Sequence, residues 1–258
     1  MTSERLATLA KEAGLLDPSV LVRPLERLGE PSWTVAPDRP LSPASMIKVP
    51  LAAALATLWE VGALRPGAPA RVGPAHLTAN DATSPFEMGV VAGLADYAAL
   101  MVTRSDNVAT NVLIDAIGRD RANTILAGFG LRATAIRRKL SGCLPLIDDP
   151  EATGRNAHPA ADAARLFEAI ATDRIPGSNF LRELLRAQEW NDKLSLGLRP
   201  GDRFAHKTGD HDAASHDGGI LETREGRRYV VVVYTRLPSS PSSDERLGNF
   251  MRALRPYL

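Results

Sequence analysis

Ser45-Met46-Ile47-Lys48, followed at once by Val49-Pro50-Leu51-Ala52-Ala53-Ala54-Leu55, is where the reading of this chain begins. A hydroxyl and an amine stand three residues apart, just after Pro43, at the head of an apolar run that continues to Leu58 and Trp59. The run predicts a helix, and positions i and i+3 share one helical face. A serine in the first turn lies at the positive end of the helix dipole. It becomes a nucleophile where a neighbouring lysine is neutral enough to accept its proton. Read alone, the same residues are a helix cap and a surface lysine, and a chain of this length and average composition holds about one S-x-x-K by chance.

The wider composition narrows the field. The 258 residues suit one large domain or two interlocked ones. An apolar share of 44 %, a charged share of 24 % and a net charge of +1 argue against a nucleic-acid binder or a strongly acidic partner. The 31 basic residues read as a solvated surface. Met1 to Leu6 lacks a basic stretch leading into an apolar one, and no apolar run reaches the length of a membrane span. Cys143 is the lone cysteine and has no intramolecular partner. These features predict a cytoplasmic protein, unless a leader has been removed, with no membrane partner.

Pattern along the chain predicts an α+β fold. Glu4 to Leu16 carries apolar residues at helical spacing, and short extended segments follow at Val20–Pro24 and Trp33–Ala36. Helical patterns fill the middle: Leu94–Val102, Val108–Ile117 closed by Gly118, Ala160–Ala171 and Asn179–Glu189. Strands are expected at Arg203–Thr208, Gly218–Thr223 and Arg228–Thr235. The last contains Tyr229-Val230-Val231-Val232-Val233-Tyr234, typical of a buried central strand. Asp244 to Leu258 closes the chain as a helix. The expected architecture is an antiparallel sheet assembled from both termini with flanking helices, residues 1–42 and 187–258, and an all-helical insert, 43–186. The seam between them is the natural place for a cleft.

Three separated elements then fall into a series: Ser45 with Lys48, Ser105-Asp106-Asn107 between two helical patterns, and Lys207-Thr208-Gly209 at the end of a predicted strand. Singly, each has a plain reading, since Ser105 and Asp106 suit a helix cap and Lys207-Thr208-Gly209 a strand entering a turn. Together and in this order, S-x-x-K, S-D-N and K-T-G resemble the signature of class A β-lactamases and penicillin-binding proteins. Leu94 to Met101 before the second motif and Val108 to Ile114 after it add to the likeness, which covers nearly the whole chain.

The resemblance implies a serine hydrolase with small amide or ester substrates, β-lactams among them, and no cofactor. Ser45 would attack a carbonyl and become acylated, with Lys48 taking its proton directly or through a network. Lys207 would attract a substrate carboxylate, and Ser105 would relay a proton to the leaving nitrogen. Asn107 would offer its amide to a substrate carbonyl and Thr208 a hydroxyl to the carboxylate. Gly209 would let the substrate lie close to the strand. Backbone N–H groups of Ser45 and Asp210 would meet the oxyanion. A D,D-peptidase or esterase of the same fold is the alternative, and a ligand-binding homologue without turnover a third.

The sequence departs from the family in one respect. Class A β-lactamases free the acyl-enzyme with a loop glutamate. Counting back from the helix that starts near Pro159 puts Gly142 at its place, and Leu140 to Leu146 contains no acid. Asp148, Asp149 and Glu151 are the nearest carboxylates and read as solvated loop charges. Slow deacylation, or a different natural amide or ester, is therefore expected. His206, His211 and His216 recur every five residues but match no usual zinc spacing, so no metal is expected. His206 should face away from Lys207, and His216 should either touch substrate at the cleft mouth or hydrogen-bond a loop. Cys143 reads as a buried structural thiol rather than a reactive one.

Overall fold

A computed structural model describes residues 1–26, 31–78, 84–141 and 146–258. Gly142 and Cys143 lie outside the described residues. In chain order the elements are α1 (Ser3–Glu12), β1 (Ser19–Pro24), β2 (Trp33–Val35), α2 (Lys48–Glu60), β3 (Pro69–Arg71), β4 (Val91–Gly93), α3 (Leu94–Thr103), α4 (Asn107–Ile117) and α5 (Arg119–Gly128). They continue with α6 (Ala160–Ala171), α7 (Ser178–Arg186), β5 (Arg203–His211), β6 (Ala214–Glu222), β7 (Arg228–Tyr234) and α8 (Pro241–Leu254). Short 3-10 turns cover Ala44–Ile47 and Arg255–Tyr257. The fold is α+β, and its five-stranded sheet runs β2-β1-β7-β6-β5, every neighbour antiparallel. Strands from both ends of the chain build it, as expected.

The valine run explains why β7 is central. It pairs with β1 on one side and β6 on the other, and Val230 to Val233 are wholly buried. Successive side chains of a strand point to opposite faces. Val231 and Val233 pack among Leu6, Leu9, Leu247 and Phe250 from α1 and α8, while Val230 and Val232 join a core with Phe167 and Ile170 of α6. A strand covered on both faces has no polar side, which is why its sequence is unbroken hydrophobe.

α2 is the axis of the helical part. Val49, Leu51, Ala52, Ala53, Ala54 and Leu55 are all buried, so the helix is apolar all round. Pro50 is tolerated because it lies in the first turn, where a backbone N–H has no intrahelical partner.

The structure shifts several expected boundaries. α1 stops at Glu12, and the chain turns at Gly14 with φ 70°. α7 ends at Arg186, three residues early. β5 continues past Thr208 to His211, pairing Gly209 with His216 and Asp210 with Ser215. Lys207-Thr208-Gly209 is thus strand interior, where a glycine and a polar pair give no strand signal by propensity. α5 escaped the sequence reading because only Ala122 and Leu126 are buried along it, too few positions to mark a period. The β3–β4 pair escaped as well, being three residues per strand.

Candidate active site

The Ser45 turn is a 3-10 turn that runs straight into α2, so Lys48 becomes the first residue of the α-helix. Ala44, just before the serine, has φ 45°, a left-handed conformation unusual for a residue with a β-carbon. Ser105, between α3 and α4, has φ 62°. Strain of this kind costs on the order of 1–3 kcal/mol per residue and collects at functional sites. Asp106 holds the second turn in place. One of its carboxylate oxygens caps α4 by accepting from Ala109 N–H at 2.8 Å, and the other accepts from Ser84 Oγ at 2.6 Å. The cap expected from Ser105-Asp106 is therefore real and is supplied by Asp106, which leaves Ser105 and Asn107 for other partners.

Both meet Lys48. Lys48 is wholly buried, and its Nζ donates to Ser105 Oγ at 3.0 Å, to Asn107 Oδ1 at 2.7 Å and to the Ser105 carbonyl. The first two motifs, about sixty residues apart in sequence, thus share one hydrogen-bonded group. Among the described residues no hydrogen bond joins Ser45 Oγ to Lys48 Nζ. Asn107, which accepts from Lys48, lines the same cleft as Ser45, and catalytic hydrogen bonds commonly tighten only when substrate arrives.

β5 supplies the opposite wall. It is an edge strand of the sheet, and the Ser45 turn packs against it at Gly209. A β-carbon at Gly209 would stand 3.1 Å from Met46 Cγ, 3.2 Å from Met46 N and 3.2 Å from Pro43 O. Glycine here is a condition for the two walls to touch. Lys207 is wholly buried and donates to Thr208 O at 2.9 Å. Burial drives its pKa well below the usual lysine range, and the nearby charge of Lys48 lowers it further. Asp210 follows, its carboxylate engaged by Lys193, which also donates to Ser215 Oγ at 2.6 Å.

Between these walls lies a cleft of about 410 Å³, lined among others by Ser45, Asn107, Leu140, Arg155, Asp210 and His211. Leu140 belongs to none of the three motifs. Asn111, one turn along α4 from Asn107, clamps it: Asn111 Oδ1 accepts from Leu140 N–H at 2.8 Å and Nδ2 donates to Leu140 O at 2.9 Å. The i, i+4 spacing of Asn107 and Asn111 was the available signal. Of the acids near this segment, Asp148 and Glu151 are exposed as expected, Glu151 pairing with Arg119, but the Asp149 side chain is buried rather than solvated, with both oxygens taken by Arg119.

The three histidines do three different things. His206 faces away from Lys207, wholly buried, with Nδ1 at 2.7 Å from Asp217 Oδ1. His216 does not reach the cleft. It stacks on Tyr234 at 4.5 Å, accepts at Nδ1 from Thr235 N–H and donates from Nε2 to Ser42 O at 2.8 Å, three residues before the serine. Of the two expected roles, the loop hydrogen bond is the one formed. Burial pushes the His216 imidazole down to about 4, so it is neutral near pH 7. His211 lines the cleft. Among the described residues no three His, Cys, Asp or Glu side chains are grouped to hold a metal. No helix among them is long and apolar enough to cross a membrane.

Known proteins place this architecture. No curated protein matches the sequence. Among solved structures, a leucine-to-glutamate mutant of PBP-A, an acyl-enzyme complex with penicillin G, superposes with a TM-score of 0.86 at 24 % identity, covering 99 % of this chain and 95 % of that one. A β-lactamase from Sphaerobacter thermophilus gives 0.85 at 23 %, covering 99 % and 98 %. An ancestral class A β-lactamase gives 0.84 at 23 %, covering 99 % of each. At these identities the likeness speaks for the fold. The model of the β-lactamase enzyme family matches residues 1–254, and this chain belongs to that family.

Proposed function

We propose that this protein is a serine acyl hydrolase that passes through an acyl-Ser45 intermediate, accepts β-lactam amides, and releases them slowly. One observation carries the reading: Lys48 Nζ is hydrogen-bonded to Ser105 Oγ and to Asn107 Oδ1, and Asn107 lines the same cleft as Ser45. Ser45 Oγ adds to the substrate carbonyl as Lys48, in its neutral amine form, takes the hydroxyl proton; the Lys48 ammonium so formed donates to Ser105 Oγ. The tetrahedral oxyanion is met by the Ser45 and Asp210 backbone N–H groups; one such donor is worth about 2.7–4 kcal/mol of barrier. Ser105 hands the proton to the departing nitrogen. Lys207 and Thr208 hold a carboxylate on the leaving portion, and Asn107 orients the retained acyl group.

Slow release follows from Leu140. Its backbone is fixed by Asn111 and it lines the same cleft as Ser45, where a hydrocarbon cannot take a proton from water. The same observation favours a second reading, a D,D-peptidase or esterase that passes its acyl group to an acceptor other than water.

A chromogenic cephalosporin tests both steps. Rapid mixing is expected to show a burst of about one equivalent and then a slow steady rate, with the adduct on Ser45 found by mass spectrometry. Leu140→Glu is expected to raise the steady rate tenfold or more, on the order of the contribution of one positioned base. Fast turnover by the native protein without a burst sinks the slow-release reading. An unmodified Ser45 sinks the hydrolase reading.

A further inference from the structure

One wall of the cleft carries charge that the proposed acylation does not use. Arg138 and Arg155 both line it, and among the described residues neither forms an ion pair or a side-chain hydrogen bond. Arg138 Nε is a buried donor without a protein partner. Beside them, His211 accepts at Nδ1 from Ala213 N–H at 3.1 Å, which puts its proton on Nε2, a second buried donor without a partner. The other charges at this wall are accounted for: Lys139 pairs with Asp115 at 2.7 Å, Asp210 pairs with Lys193, and Asp212, on the exposed turn, pairs neither arginine.

The arginines are held in place by more than their own side chains. Ala135 bridges to Ala157, and Asn156 stitches the two segments together. Its Oδ1 accepts from Arg137 N–H at 2.7 Å and Arg138 N–H at 3.0 Å, and its Nδ2 donates to Arg138 O at 3.0 Å. Arg155 stands next to Asn156 in sequence, so one asparagine fixes both backbones along the same side of the cleft. Burial lowers the pKa of His211; the charges of Asp212 and Asp210 oppose this, and Arg155 is close enough for its charge to add to the lowering. Arg138 is partly buried and Arg155 exposed; a guanidinium partly withdrawn from water, as Arg138 is, gains most from a carboxylate or phosphate it can grip with two N–H groups.

We infer that Arg138 and Arg155, with His211, form a second anion subsite that selects substrates bearing a carboxylate on the acyl portion retained by Ser45. This rests on the acyl-Ser45 reading for its direction. In that reading Lys207 and Thr208 hold the carboxylate of the leaving portion. Thr208 and His211 are three residues apart on β5, about 10 Å at the rise of an extended strand. A substrate lying along this edge strand with one anion at Lys207-Thr208 therefore directs its other end to the arginine wall. The preferred substrate class is a dianionic amide, negative on both sides of the bond that breaks.

Two penicillins that differ by one carboxylate test this: benzylpenicillin and its α-carboxy analogue, carbenicillin. The second-order rate constant for acylation of Ser45 is measured for each. Native protein is expected to favour carbenicillin about tenfold, the size of one charge-assisted hydrogen bond. In Arg138→Met/Arg155→Met the ratio is expected to fall to about one, and in Arg138→Lys/Arg155→Lys to recover in part, which separates lost charge from lost fold. Calorimetric binding of both compounds to the Ser45→Ala protein gives a readout independent of chemistry. Equal rates in the native protein, or a preference that survives the double methionine change, overturn the subsite. Failure of both compounds to acylate Ser45, with carbenicillin still bound more tightly by Ser45→Ala, overturns the hydrolase reading and upholds the subsite. Equal binding of both overturns the subsite.

Discussion

Lys48 shows how much a single side chain can join. It begins α2, lies beside the Ser45 turn, and donates to two residues of the next motif. Replacing it by alanine removes the proton acceptor and leaves Ser105 Oγ and Asn107 Oδ1 without their donor. Lys48→Ala is expected to lower the rate of Ser45 labelling by a fluorescent penicillin by about 10²–10⁴-fold, the usual contribution of a general base. Circular dichroism should show the helical content kept, because the helix is anchored by its alanine and leucine faces. Labelling within a factor of a few of the native rate would remove Lys48 from the mechanism. Serine and lysine at i and i+3 were legible in the sequence. Their partners were not, because the bonds to Ser105 and Asn107 depend on where α3 and α4 dock against α2.

The meeting of β5 with the serine turn is a matter of two elements touching at one atom's width. Gly209 was read from sequence as a strand-end glycine that admits substrate. The structure adds a different reason for it, since a methyl group there would press on Met46 and Pro43 at 3.1–3.2 Å. Contacts this tight are relieved only if the turn or the strand moves by a few tenths of an ångström. Gly209→Ala is expected to slow acylation tenfold or more while costing about 1–3 kcal/mol of stability, the range for overpacking. Stopped-flow labelling and urea unfolding separate the two effects. A variant with unchanged acylation would show that the turn is free to retreat without consequence. His216 guards the same turn from behind through Ser42 O, and it does so as a neutral imidazole.

For the molecule as a whole, buried neutral histidines tie stability to pH. Burial holds His216 down at about 4 and His158 at about 3, both well under the ordinary value near 6.5. Between those values the unfolded chain binds protons that the folded chain refuses, so stability is full above about pH 6.5 and is lost as pH falls. Each histidine contributes a slope of up to about 1.4 kcal/mol per pH unit. Urea midpoints between pH 7.5 and 5 should fall steadily below about pH 6.5, and His158→Gln should flatten the curve. A native curve flat over that range would mean that both rings are protonated in the fold. At the other end of the chain, the buried Arg255 grips Asp202 with two 2.7 Å hydrogen bonds and also reaches Glu225, fastening the segment after α8 to the start of β5 and the β6–β7 turn.

The sequence by itself determined the α+β class, the central strand, the three motifs and their order. Those are local facts: a run of valines has one environment that suits it, and short motifs keep their spacing whatever surrounds them. The tertiary structure decided which of the motif residues share hydrogen bonds. It showed that Asp106 rather than Ser105 is the cap, that His216 serves the serine turn rather than the cleft, and that Leu140 lines the site with Arg138 and Arg155, whose side chains have no ion pair among the described residues. Such facts depend on contacts between segments far apart in the chain. A pattern of residue types cannot carry them, because the same leucine or arginine is equally at home on a surface until packing sets what lies opposite.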